Sequence, residues 1–141
     1  MPKNPPLIFV SACLVGVPCR YDGESRERSQ VIHLLNQGMA MPVCPEQLGG
    51  LPTPRPAAEI VADKVLTKDG ADVSDNYKAG AEAALLLCLK AGTTEAWLKS
   101  KSPMCGCGKV YDGTHSGTLT TGDGIFTALL KKAGIQVKAI D

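Results

Sequence analysis

The chain has 141 residues, 44% of them apolar, and 15 Lys and Arg against 14 Asp and Glu give a formal net charge of +1. That length makes about one domain able to bury about two thirds of its unfolded surface. The composition excludes a disordered tail or a membrane protein, and the charge balance lacks the basic footprint of a nucleic-acid-binding domain.

Residues 7–12 form a short apolar run that reads as a buried strand ending at Cys13. Its apolar stretch is too short for a secretory leader, although Val10-Ser11-Ala12-Cys13 has the look of a lipoprotein cleavage box. No run is long enough to span a bilayer. The expected compartment is the cytoplasm, where thiols stay reduced, so the 6 cysteines point to metal or catalysis before disulfides. Residues 26–37 read as a helix with Val31, Leu34 and Leu35 as its stripe and Gly38 as its stop. Residues 39–43 make a second strand, ending at Cys44. Residues 59–73 suggest a small hairpin around Asp69-Gly70. Ser74 is the expected N-cap of the best helix, whose apolar face is Tyr77, Ala81, Ala84, Cys88 and Ala91, up to Gly92. Residues 95–99 make a third strand, leading into a Pro/Cys/Gly loop. Residues 124–133 make a third long helix stopped by Gly134, and residues 135–140 a fourth strand.

Strands alternating with helices predict an α/β fold. The expectation is a single compact domain over residues 1–141, with a Rossmann-like parallel sheet of about four strands flanked by helices and a small hairpin. Cys13, Cys44 and the loop holding Cys105 each follow the carboxyl end of a predicted strand, the edge where ligands collect in open parallel sheets. The fold then gathers three thiols far apart in sequence.

Gly or Pro beside a thiol, as at Cys44-Pro45 and Cys105-Gly106, fixes the backbone and allows close approach to a ligand. Cys19, in Pro18-Cys19-Arg20-Tyr21-Asp22, is a candidate fourth ligand, a resolving thiol or a loop cysteine without a role. Cys107 pairs with Cys105 as Cys-Gly-Cys, while Cys88 falls on an apolar helix face and belongs to the core. Zinc and iron–sulfur centres both take thiolates. Three isolated cysteines without a Cys-x-x-Cys pair leave both open, with a cluster of one open iron as one option. Glu46, two residues from Cys44, is either a general base or acid beside that site or a solvated loop residue. Ser102 either hydrogen-bonds a substrate or shapes the turn before Cys105. Arg20 and Arg55 suit carboxylate or phosphate recognition, or structural ion pairs. His33 reads as a surface or packing residue and His115 carries no assignment. The Gly-rich stretch 113–124 has no phosphate-loop pattern.

Taken together, the motifs resemble a known family. They are Ser11-Ala12-Cys13-Leu14-Val15-Gly16 with Arg20-Tyr21-Asp22-Gly23, then Cys44-Pro45-Glu46 through Gly49-Gly50-Leu51-Pro52-Thr53-Pro54-Arg55. The residues from Lys99 to Gly106 and Val110-Tyr111-Asp112-Gly113 complete them. The pattern resembles the bacterial thiouracil desulfidase family over nearly the whole chain. The resemblance implies a 4Fe–4S cluster held by Cys13, Cys44 and Cys105, with a fourth iron open to the sulfur of a thiolated nucleobase or nucleotide. It implies Glu46 as the acid/base carboxylate that activates water and Ser102 as the substrate-side hydroxyl. The sulfur would leave 2- or 4-thiouracil, or a thionucleotide, as hydrogen sulfide, in a non-redox reaction without nicotinamide or flavin. The short chain lacks the extension of relatives acting on thiolated tRNA, which favours a free base or nucleotide over nucleic acid. Met104 and Cys107 stand where the family favours small polar residues. A fourth thiolate from Cys107 or Cys19 would instead make a non-catalytic iron–sulfur or sulfide-binding protein. A cytosolic zinc or thiol-redox protein is the third expectation.

Overall fold

The structure, a computed structural model, describes residues 5–141. The chain runs through β1 (Ile8–Ser11), a 3-10 turn (Ala12–Val15), α1 (Ser29–Asn36), β2 (Ala40–Val43) and α2 (Pro45–Leu48). It continues through β3 (Ala58–Val61), β4 (Lys64–Thr67), α3 (Ser74–Ala91), β5 (Glu95–Lys99), β6 (Lys109–Tyr111), β7 (Leu119–Thr121), α4 (Ile125–Lys132) and β8 (Gln136–Ile140). The four expected strands form one parallel sheet in the order β2-β1-β5-β8. Two antiparallel hairpins, β3-β4 and β6-β7, stand beside it.

The inner strand β1 is apolar and buried on both faces. In β1, Phe9 and Val10 point to opposite sides and both are fully buried. Phe9 joins Ala96, Leu98, Tyr77 and Ala81 under α3 and α4. Its ring packs on Phe126 with centroids 4.9 Å apart. Val10 joins Leu14, Val31 and Ile140 on the α1 side. Each such side chain stabilises the fold by about 1.5–3 kcal/mol relative to leaving it in water. No helix among the described residues is long and apolar enough to cross a membrane.

The differences from expectation have local causes. The helix expected from residue 26 begins at Ser29, because the N–H groups of Arg26 and Arg28 bond to the carbonyls of Cys13 and Leu14 and hold that stretch extended. Leu35 is exposed, leaving Val31 and Leu34 as the buried stripe. Ser74 is the first residue of α3 and not its cap: its N–H donates to Asp72 Oδ1 at 2.9 Å, and its own Oγ accepts the N–H of Val65 at 2.8 Å. Ala91, at the end of the expected apolar face, is exposed. The β3-β4 turn falls at Ala62, with φ 56°, instead of Asp69-Gly70. That dipeptide makes a second turn, from β4 toward α3, in which the N–H of Gly70 bonds to the carbonyl of Thr67. The short helix α2 and the β6-β7 hairpin have no counterpart in the sequence reading.

Candidate active site

The carboxyl ends of β1, β2 and β5 open into a cavity of ≈ 460 Å³, and Cys13, Cys44 and Cys105 all line it. Each is placed by a different device. Cys13 lies in the 3-10 turn that follows β1, closed by Gly16 at φ 102°. Cys44 is the extended N-cap residue of α2, whose first helical position is Pro45, where a missing N–H costs nothing. Cys105 hangs from a tight loop: its N–H donates to Ser102 Oγ at 2.7 Å, and its carbonyl accepts from Thr127 Oγ1 at 2.9 Å. Glycine is required on both sides of that loop. A Cβ on Gly124 would lie 2.5 Å from the Met104 carbonyl, and one on Gly106 would lie 2.7 Å from that of Ser102.

A fourth thiol, Cys19, also lines the cavity and is almost fully buried. Its carbonyl accepts from Cys44 Sγ at 3.8 Å, and its side chain lies beside those of Cys13 and Cys44. The hydrogen bond from Cys19, opposed by burial, holds the Cys13 thiol below its ordinary value. The same bond pushes Cys19 up to about 11. Its bond with Cys19 and its burial push Cys44 well up. Burial pushes Cys105 up too, against the hydroxyls of Ser11 and Ser102, which pull it down. Soft metal centres deprotonate such thiols outright when they bind. Among the described residues no three His, Cys, Asp or Glu side chains gather tightly enough to hold a single metal ion; the thiols ring a cavity. All six cysteines are free. Cys107 lies beside the Lys131 ammonium and away from the cavity lining. Cys88 is fully buried in the core, as expected.

Glu46 reaches the same cavity from the first turn of α2. Its Oε2 accepts from Arg55 Nη2 at 3.2 Å, and its Oε1 accepts from the Tyr77 hydroxyl. Arg55 is structural more than substrate-facing: its guanidinium, 4% exposed, also donates to the carbonyls of Cys19 and Pro52 and to Thr53 Oγ1. It ties the loop that carries Cys19 to the helix that carries Glu46. Ser102 lines the cavity, and its hydroxyl already serves Cys105.

β3 and the β6-β7 hairpin also line the cavity, through Ala58, Glu59, Tyr111 and Gly117. Glu59 Oε1 accepts the N–H groups of Gly113 at 2.9 Å and His115 at 3.2 Å, and its Oε2 stands 3.4 Å from His115 Nδ1. His33 is exposed on α1. The rim is cationic: Arg20, Arg26, Lys99 and Lys101 all line the cavity. Arg20 pairs with Asp22 at 3.4 Å, and Arg26 with Glu24 at 3.5 Å. Burial and the nearby Arg20 charge hold the Lys99 ammonium below its ordinary value. The sequence reading gave no role to Tyr77, Glu59, Lys99 or Lys101. The two lysines flank the carboxyl end of a strand and follow from the strand-end rule, whereas Tyr77 and Glu59 carry no local signal.

A family model described as 2-thiouracil desulfurase matches residues 8–141. The uncharacterized protein YbbK of Bacillus subtilis (strain 168) is 39% identical over 141 residues, which covers 93% of this chain and 93% of that protein. A solved structure, that of the 4Fe-4S-dependent thiouracil desulfidase TudS (DUF523Vcz), aligns with a TM-score of 0.92 at 47% identity. It covers 96% of this chain and 91% of that one.

Proposed function

The chain belongs to the 2-thiouracil desulfurase family, and from that membership we propose that it converts a thiolated pyrimidine and water to the oxo-pyrimidine and hydrogen sulfide. The substrate is 2- or 4-thiouracil or the corresponding nucleotide. The observation that carries the reading is the meeting of Cys13, Cys44, Cys105 and Glu46 in one cavity.

The donor set fits a 4Fe–4S cluster. Thiolates are the ligands such clusters take, and these three ring a cavity instead of converging on one point, as ligands to separate irons do. Cys13, Cys44 and Cys105 would hold it. The chemistry such a cluster supplies there is a Lewis-acidic iron with affinity for sulfur.

The remaining work falls to the chain's own side chains. Glu46, with each oxygen already accepting one hydrogen bond, takes the proton of the water that attacks the thiocarbonyl carbon. It returns that proton as the carbon–sulfur bond breaks. The Ser102 hydroxyl, at the mouth of the Cys105 loop, hydrogen-bonds the pyrimidine. Arg20, Lys99 and Lys101 on the rim suit the phosphate of a nucleotide. The protein's electron count is unchanged, so no reductant is consumed.

A second reading rests on Cys19. Because it lines the cavity beside Cys13 and Cys44, it can serve as a fourth thiolate, which would make the protein a carrier of a closed cluster. One experiment separates the two. The protein is purified anaerobically, iron and acid-labile sulfide are counted, and 4-thiouracil is added. About four irons per chain, with loss of the thiocarbonyl absorbance and release of sulfide, is the expected result. A full cluster with persistent absorbance rejects the enzyme and favours the carrier.

A further inference from the structure

We infer that Tyr77 is a positioning residue for this reaction, holding the Glu46 carboxylate in its working orientation through the hydrogen bond from its phenol. The inference rests on the role of Glu46 proposed above.

Three observations support it. Tyr77 is 2% exposed and lines the cavity, and its hydroxyl donates to Glu46 Oε1, while Arg55 holds the other oxygen. A buried phenol must find a partner, so the hydrogen bond alone could be a matter of satisfying Tyr77. The way α3 is brought to α2 says more. Gly80, one turn beyond Tyr77, meets α2 so closely that a Cβ there would lie 2.0 Å from the Pro45 carbonyl oxygen. From the other side, a Cβ on Gly49 would lie 2.1 Å from the Asn76 carbonyl oxygen. Asn76 Nδ2 closes the contact by donating to the Gly49 carbonyl at 2.9 Å.

The two helices therefore touch backbone to backbone, through a glycine on each. A wider spacing would move the Tyr77 hydroxyl away from Glu46. The carboxylate stands on a four-residue helix that cannot hold its own orientation, and it borrows rigidity from an 18-residue one. Burial and the neighbouring Glu46 charge keep the Tyr77 proton on the phenol, so the hydroxyl remains a donor. With Oε1 held by Tyr77 and Oε2 by Arg55, the three side-chain torsions of Glu46 are fixed before substrate arrives. Such preorganisation acts on the chemical step and leaves substrate binding alone.

The test compares three variants of the cluster-loaded protein with the unaltered one, using 4-thiouracil and recording kcat, KM, iron content and Tm. Tyr77→Phe keeps the packing and removes only the donor. Its kcat is expected to fall by about tenfold to a hundredfold, the range for a misplaced catalytic group, with KM and iron unchanged. Asn76→Ala removes one hydrogen bond of the α3–α2 contact and leaves the Tyr77 phenol in place, and it is expected to lower Tm while costing clearly less kcat than Tyr77→Phe. Glu46→Gln is expected to abolish turnover. Full kcat in Tyr77→Phe alongside an inactive Glu46→Gln overturns the positioning role and leaves the Glu46 reading standing. An equal loss of kcat in Asn76→Ala also overturns it, because the effect then belongs to the helix contact at large. An active Glu46→Gln overturns both, by removing the group that Tyr77 would position.

Discussion

Gly80→Ala tests the tightest approach made at a glycine among the described residues. In a helix interior the change from Gly to Ala should stabilise by about 1 kcal/mol, through propensity alone. Here the added Cβ would lie 2.0 Å from the Pro45 carbonyl oxygen and 2.9 Å from the Gly49 nitrogen, both backbone atoms that no rotamer change can move aside. Restoring an ordinary contact requires α2 and α3 to part by more than about 1 Å, and overpacking of this kind costs about 1–3 kcal/mol and occasionally more. The displaced helix also loses the Asn76–Gly49 hydrogen bond, about 1 kcal/mol. The gain offsets only part of these losses, so a net destabilisation of about 1–3 kcal/mol is expected. For a chain of this size that lowers Tm by about 3–12 °C. Because α2 carries Glu46 and follows Cys44, turnover should fall with stability, and by more than the loss of folded protein explains. Thermal melts and steady-state kinetics on the same preparation measure both. A Tm equal to or above that of the unaltered protein would show that the helix-propensity gain wins, and would refute the close approach on which the argument rests.

Two further outcomes follow from the site and its surroundings. Replacing Cys13, Cys44 or Cys105 singly by Ser is expected to deplete iron after anaerobic reconstitution, whereas Cys107→Ser, beside Lys131 and outside the cavity lining, keeps the full count; full iron in Cys105→Ser would remove that residue from the ligand set. Asp123 concerns stability against pH: burial works against its charge, but the Gly108 N–H at 2.8 Å and the Lys131 ammonium outweigh it and hold the carboxyl below its ordinary 3.8. A depressed carboxyl contributes stability that is present above the unfolded value and lost as pH falls through the folded one. Asp123→Asn should therefore lower Tm at neutral pH and converge with the unaltered protein in strong acid, and parallel Tm curves from neutral pH into strong acid would exclude the linkage.

The sheet edge was legible because its signals are local. Residues 7–12 and 39–43 are apolar runs closed by Cys13 and Cys44, and residues 95–99, with an apolar centre, lead into the Pro/Cys/Gly loop; strands of this kind announce both their burial and their ends. Once they were placed in parallel, the meeting of the three thiols followed from topology without any local ligand spacing. The β6-β7 hairpin escaped because β7 is exposed along its whole length and only Val110 of β6 is buried, so neither strand alternates. The β3-β4 turn was misplaced because Ala62 takes a left-handed conformation (φ 56°) that its residue type does not announce, while Asp69-Gly70 announced a genuine turn one strand later.

What stayed hidden at the site depends on pairs. Tyr77 fits the apolar stripe of α3 by spacing and is buried as that stripe requires, so its hydroxyl looked incidental until Glu46 was found against it. Arg55 was open between ligand recognition and an ion pair; only the positions of the Cys19 and Pro52 carbonyls and of Glu46 decide for the second. Gly80 in the middle of a helix reads as a weak point, and Gly49 as a helix end. They become a single feature when the two backbones are set against each other, and that contact delivers Tyr77 to the carboxylate. The sequence motifs around Cys13, Cys44 and Cys105 thus mark the cavity where the proposed chemistry would take place. The rigidity that holds Glu46 beside them comes from α3, some 30 residues further along the chain, through small residues whose value lies in what they leave out.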